Sequence, residues 1–235
     1  YDSTWGGAVS VSNGSPEFEN VEFIDNMGAK GGDLYIAGSS NVQLSDSTID
    51  GSSGKYGASM FVMDSAITIS NTNATDTVSL NSGGFAFLDG ATVTATNLEI
   101  TDPQGDQTHG VGIYGTGRSI LTWIGGGVSG GVAANPSYDG GAIYLSDSST
   151  FTGTNLDFRE NTARNGGAVE LTDGSTASLI DVRFSDNTGY RAGGALRVYD
   201  SAEASCTNCE FDSNSADGGG AVEVSNDATF SDVDG

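Results

Sequence analysis

Basic residues are scarce in this chain of 235 residues: Lys30 and Lys55 are the only lysines, and eight Lys and Arg stand against 31 Asp and Glu, a formal net charge of -23. That balance excludes nucleic acid and anionic membrane surfaces as partners, since both demand positive charge to neutralise phosphate. No run of about 20 apolar residues occurs, so no segment reads as a membrane-spanning helix and no membrane insertion is expected. No basic stretch followed by an apolar one marks a signal peptide, which fits a mature secreted chain. His109 is the single histidine, and Cys206 and Cys209 are the only cysteines. A zinc or redox centre therefore has little to be built from. Helical spacing of apolar residues is also absent throughout.

What the sequence has instead is a repeat. Nine times a small pair, usually Gly-Gly, is followed by alternating apolar and variable residues, and the second member of the pair falls at Gly7, Gly32, Ala58, Gly84, Val111, Gly141, Gly167, Gly194 and Gly220. The interval is about 26 residues. Such a period is the mark of a solenoid, in which one copy is one coil. The alternation has period two, so Val169 and Leu171 point to one face and Ala168 and Glu170 to the other. Gly, Asn, Asp and Ser punctuate the runs. Stacked in register, Val9, Leu34, Met60, Ala86, Ile113, Ile143, Val169, Leu196 and Val222 form one inward column, and Val11, Ile36, Val62 and Leu88 begin a second. Neighbouring coils ~4.8 Å apart share one core, giving an all-β rod on the order of 40 Å long. The expectation is a right-handed parallel β-helix, a β-solenoid of about nine coils, forming a single domain over residues 1–235. Open strand edges at both ends suggest a segment of a longer repeat array.

In four copies Phe-x-x-Asn precedes the pair: Phe23 to Asn26, Phe158 to Asn161, Phe184 to Asn187 and Phe211 to Asn214. Together with Gly140-Gly141-Ala142-Ile143, Gly166-Gly167-Ala168-Val169, Gly193-Gly194-Ala195-Leu196 and Gly219-Gly220-Ala221-Val222, this pattern resembles the repeat of the polymorphic outer membrane proteins. The match is close over residues 140–224, while residues 33–130 keep only the period. That resemblance implies a surface-displayed right-handed β-helix used for adhesion and scaffolding, and it implies no catalysis.

Three residues past each marker lies a column expected to face outward, and five consecutive coils place Tyr35, Phe61, Phe87, Tyr114 and Tyr144 there. Such a ladder would run ~19 Å. Exposed aromatic strips mark interfaces, so this is the candidate partner-binding face. Three readings stand open: cover by the Gly125 to Asp139 insertion with its Val128, Val132 and Tyr138; contact with another subunit or further repeats of the same protein; or stacking on surface glycans. The column continues as Glu170, Arg197, Glu223, and another reads Asp157, Arg183, Glu210. Alternating signs there give register control.

The turn residues Asp64, Asp147, Asp173, Asp200 and Asp227 form an acidic file. Asp147, Asp173 and Asp200 are candidate Ca²⁺ ligands, set against the plain preference of Asp for turns. No other cofactor or metal is expected. Asn13 and Asn73 head glycosylation sequons, which would make the chain a glycoprotein. Cys206 and Cys209 align with inward apolar positions, where a local disulfide or two buried thiols are both open. The resulting reading is a noncatalytic extracellular or cell-surface structural or adhesive protein, with assembly into a surface filament or appendage as a variant of it. The alternatives are a polysaccharide-active β-helix enzyme, which needs carboxylates converging in a cleft, and a carbohydrate-binding adhesin.

Overall fold

A computed structural model describes residues 5–106, 109–133 and 137–233. The described residues contain strands and turns but no helix. Three parallel sheets run the length of the molecule. The first has nine strands, from Val9–Ser12 to Val222–Ser225. The second has 13, including the ten-residue strands Ala66–Thr75, Thr92–Thr101, Ile120–Ser129 and Thr150–Arg159. The third has eight, from Met27–Lys30 to Ser215–Gly218. The expected nine coils are thus nine rungs of the first sheet and about eight completed turns.

Register follows the sequence columns: Val9 pairs with Leu34, Leu34 with Met60, Met60 with Ala86, and so on to Leu196 with Val222. These residues join the rows from the second sheet, including Leu44, Ile69, Trp123, Phe158 and Phe184, in one continuous core. Where the second inward column offers only Gly115, Leu145 fills the space, its Cδ2 lying 2.5 Å from where a Cβ would stand. Like stacks on like in the core as well: Phe158, Phe184 and Phe211 pack ring over ring at 5.3 and 5.0 Å.

Each coil turns its corners on one or two residues in the left-handed region, two in succession at places such as Asp147-Ser148 and Asp200-Ser201. The first glycine of every pair is one: Gly6, Gly31, Gly57, Gly83, Gly110, Gly140, Gly166, Gly193 and Gly219 all have φ between 52° and 70°. A Cβ at these glycines would lie 1.8–2.5 Å from the carbonyl oxygen three residues on, so even asparagine cannot replace them. Elsewhere the corner is roomier and Asn or Asp takes it, as at Asn71, Asn97, Asp173 and Asp200. Both types tolerate this backbone because a short polar side chain can bond locally.

The asparagine of Phe-x-x-Asn holds adjacent coils together. Asn187 is buried, and its Nδ2 donates to Phe158 O and Asn214 Oδ1, each at 2.9 Å. Its Oδ1 accepts from Asn161 N and Nδ2, each at 3.0 Å. A serine ladder invisible in the sequence pattern does the same at another corner, where Ser119 Oγ accepts from Ala91 N and Ser149 Oγ from Ser119 N, both at 3.1 Å.

The two kinds of glycine corner separate by substitution. Gly174 has φ +68° but open space, its nearest neighbour being Ser148 Oγ at 3.6 Å, whereas a Cβ on Gly166 would lie 2.3 Å from Val169 O. Gly174→Asn is expected to leave stability within about 0.5 kcal/mol of the parent. Gly166→Asn should lose about 2–3 kcal/mol through overpacking. Urea-unfolding midpoints of the two variants check this.

Candidate functional site

The aromatic ladder exists in full register, Tyr35 to Phe61 to Phe87 to Tyr114 to Tyr144. Its rings stack face to face, with centroids 5.7, 5.0, 4.9 and 5.3 Å apart and planes within 16° of parallel. Trp5 adds a ring beyond Tyr35 at 5.2 Å, and His109 adds one beyond Tyr144 at 4.9 Å. The column points away from the core, yet it is not bare. Tyr35 and Phe61 are 5% and 3% exposed, and the other three are half-buried. Each inner ring spends both faces on its neighbours. Tyr56 meets the edge of Phe87 at 5.7 Å, and Lys30 Nζ sits 4.5 Å from the Phe61 centroid. A sugar ring needs an open aromatic face, so this geometry opposes glycan stacking.

The expected cover by the Gly125 to Asp139 insertion needs correction. Gly125 to Ser129 belong to the strand Ile120–Ser129, and Val128 is a core residue paired with Phe158. Val132 is 40% exposed. Among the described residues of that segment, Tyr138 reaches toward the ladder, edge-on to His109 at 5.0 Å, and His109 in turn caps Tyr144. His109 Nδ1 accepts from Asp139 N at 3.1 Å.

Beyond Tyr144 the column becomes an ion ladder. Arg197 donates to Glu170 Oε1 at 2.8 Å and to Glu223 Oε2 at 2.9 Å. Glu170 is buried, and its Oε2 has no partner. Burial, with the charge of Asp139 adding to it, pushes the Glu170 pKa up to about 8 against the pull of Arg197. The parallel column pairs Arg183 with Glu210 at 3.5 Å, while the ion-pair contact of Asp157 is with Arg159 at 3.9 Å.

Asp64, Asp147, Asp173, Asp200 and Asp227 all occupy left-handed corners, with φ from 45° to 60°. Asp147, Asp173 and Asp200 follow one another up successive rungs, as Ser148 N donates to Asp173 O and Gly174 N to Asp200 O. Gly117, Arg118, Asp147, Ser148 and Asp173 line an open concavity of about 460 Å³ there. Among the described residues no three His, Cys, Asp or Glu side chains converge to hold a metal ion. Asn13 and Asn73 are both exposed, the first on a left-handed corner and the second within a strand. Cys206 and Cys209 are both buried and are free thiols, not a disulfide; Cys206 takes the inward place of Leu179 in the stack.

One face carries a pattern that the sequence reading passed over. On the outside of the second sheet, Thr68, Thr94, Thr122, Thr152, Ser178, Ser205 and Ser231 form a single register column. The columns on either side hold Thr92, Thr150, Thr176 and Thr229, and Thr96, Thr154 and Thr207, with Ile120, Ile124 and Ile180 between them. Over these seven rungs Glu203 is the one charged residue. The signal was present in Thr92-Val93-Thr94-Ala95-Thr96 and Thr150-Phe151-Thr152-Gly153-Thr154, whose alternate threonines share one face. No family model, curated protein or solved structure matches this chain.

Two outcomes test this description. Because the folded pKa of Glu170 lies above its unfolded value of 4.5, its contribution to stability is complete below that value and is lost as pH rises through about 8. Thermal melts from about pH 5 to pH 9 should therefore show a fall in stability that Glu170→Gln flattens. A thiol reagent without reductant is expected to leave native Cys206 and Cys209 unmodified and to label both after denaturation; an unfolded chain that resists labelling would establish the disulfide.

Proposed function

We propose that this chain is a noncatalytic structural or adhesive protein of the extracellular space or cell surface, a rigid rod whose regular faces meet other protein subunits or further repeats, as in a surface filament. The observation that carries this reading is the unbroken register of nine rungs, which gives long faces of repeated chemistry instead of a cleft. The pairing of Gly-Gly-Ala-[Ile/Val/Leu] with Phe-x-x-Asn, with its resemblance to the polymorphic outer membrane protein repeat, supports surface display. Strong net acidity favours solubility at the surface and gives no hold on nucleic acid.

An enzymatic reading has less to rest on. Glu170, Arg197 and Glu223 form a ladder with arginine between the acids, and Asp147 and Asp173, which line an open concavity with Arg118, are successive members of one turn file. The closed stacking of the aromatic rings shifts the ladder from a binding platform to a stiffening spine. Phe87→Ala, which opens both stacks and the Tyr56 contact, is expected to cost about 2–4 kcal/mol.

Electron microscopy of the parent assembly tests the reading by showing what touches the rod ends and outer faces. Protein subunits lying against them are the expected result. Release of new reducing or unsaturated ends from acidic polysaccharides by the purified chain would overturn it.

A further inference from the structure

The hydroxyl face of the second sheet has a property that no other part of the rod shares. The chain carries 31 acidic residues, yet the three columns around Thr94 and Thr152 hold only Glu203 over seven rungs. Its members are almost all Thr, Ser or Ile. Thr68, Thr94, Thr152 and Ser178 are exposed, and Ile120 and Ile124 are each 48% exposed. Hydroxyls therefore repeat at ~4.8 Å along the middle column, and at about 6.7 Å, from residue i to i+2, along Thr92-Thr94-Thr96 and Thr150-Thr152-Thr154, while Ile120 and Ile124 flank Thr122.

A two-dimensional lattice of one kind of group is not what a protein partner calls for. Protein-binding sites are patches of varied residues around a few aromatic or arginine anchors, and these three columns hold neither. A periodic face is complementary to a periodic ligand. Among such ligands, the lack of charge favours ordered water. A hydroxyl donates one hydrogen bond and accepts two, so it can stand in for a water oxygen at a lattice point. Charged groups would impose hydration shells of their own. Both spacings are close to the oxygen repeats on the faces of ice. The β-branched threonines are stiff at χ1, so the array is held in place before it meets a lattice, and little freedom is lost on contact.

The relief of the face agrees with this. Between the column of Thr150, Thr176 and Glu203 and that of Thr152, Ser178 and Ser205 runs a trough of about 300 Å³. Thr176 donates to Thr150 across rungs at 3.4 Å, which keeps neighbouring members of one rank aligned.

The geometry points to this face as an ice-binding surface, with the ordered water lattice as its ligand and threonine hydroxyls and methyls as the groups that match it. The inference stands apart from the structural and adhesive reading, and either can fail alone. The test is thermal hysteresis, together with partition of the fluorescently labelled chain into a slowly growing ice hemisphere. The parent chain is expected to enter ice and to hold a hysteresis gap. Thr152→Lys, which puts a charge at the centre of the lattice, should reduce both at least fivefold, and Thr152→Val, which keeps the shape and loses only the hydroxyl, should reduce them less. Ser215→Lys, on the third sheet, should leave both unchanged. Exclusion of the parent chain from ice would overturn the inference, as would full ice uptake by a folded Thr152→Lys variant. So would exclusion from ice combined with a dimer, seen by sedimentation, that Thr152→Lys dissolves, since the face would then be a contact between copies of the chain.

Discussion

Each coil must return to register one strand spacing above the last, and the corners make that possible. Where the chain turns, one or two residues take a left-handed backbone: glycine wherever a Cβ would strike a carbonyl, and mostly Asn, Asp or Ser elsewhere. Because every corner is made by one or two residues of the same hand at matching places in successive coils, the columns stay aligned. The insertion before Gly141 lengthens the chain outside the strands, and the register of Ile113 on Ile143 is retained. A corner that failed would shift every later side chain to the wrong face, since one residue of slip exchanges the two faces of a strand.

Alignment of like residues then decides the energetics. A buried asparagine on one rung finds the same asparagine on the next, so its donors and acceptors are met by repetition, as for Asn161, Asn187 and Asn214. Buried serines do the same. Aromatic residues in register form closed stacks, and so the outward ladder satisfies itself. Repetition penalises charge instead, and the rod answers with opposite signs on adjacent rungs, as with Glu170, Arg197 and Glu223.

Much of this could be read from the residues. Gly-Gly spacing, alternation and Phe-x-x-Asn lead to the solenoid and to its inward columns, because these are one-dimensional consequences of a period. Exposure was harder to read. Tyr35 and Phe61 do point outward, but flat rings 5.7 Å apart bury one another, and alternation carries no information on that. The insertion was drawn too early because Gly125 and Gly126 look like a loop, whereas Gly125 is one more left-handed corner, with Asn97 below it. The threonine face escaped notice because a search for acids, bases and ligands passes over hydroxyls whose meaning lies in their repetition.

The net charge of -23 has a backbone cause as well as a surface effect. Aspartate fills eleven of the 24 non-glycine left-handed positions, so much of the acidity is corner chemistry. Placing it there puts charge along the edges of the prism and leaves the sheet faces free to be apolar, aromatic or hydroxylic. The corners differ in how they bear the repulsion. In one file asparagine interleaves with aspartate, and Asn71 and Asn208 donate to Asp46 and Asp181 at 3.0 and 3.1 Å. In the file of Asp147, Asp173 and Asp200 no asparagine intervenes, and burial together with the two flanking carboxylates raises the Asp173 pKa. The selection of Asp over Asn there trades local repulsion for like charge along an edge, which keeps long parallel rods from pairing side by side at random.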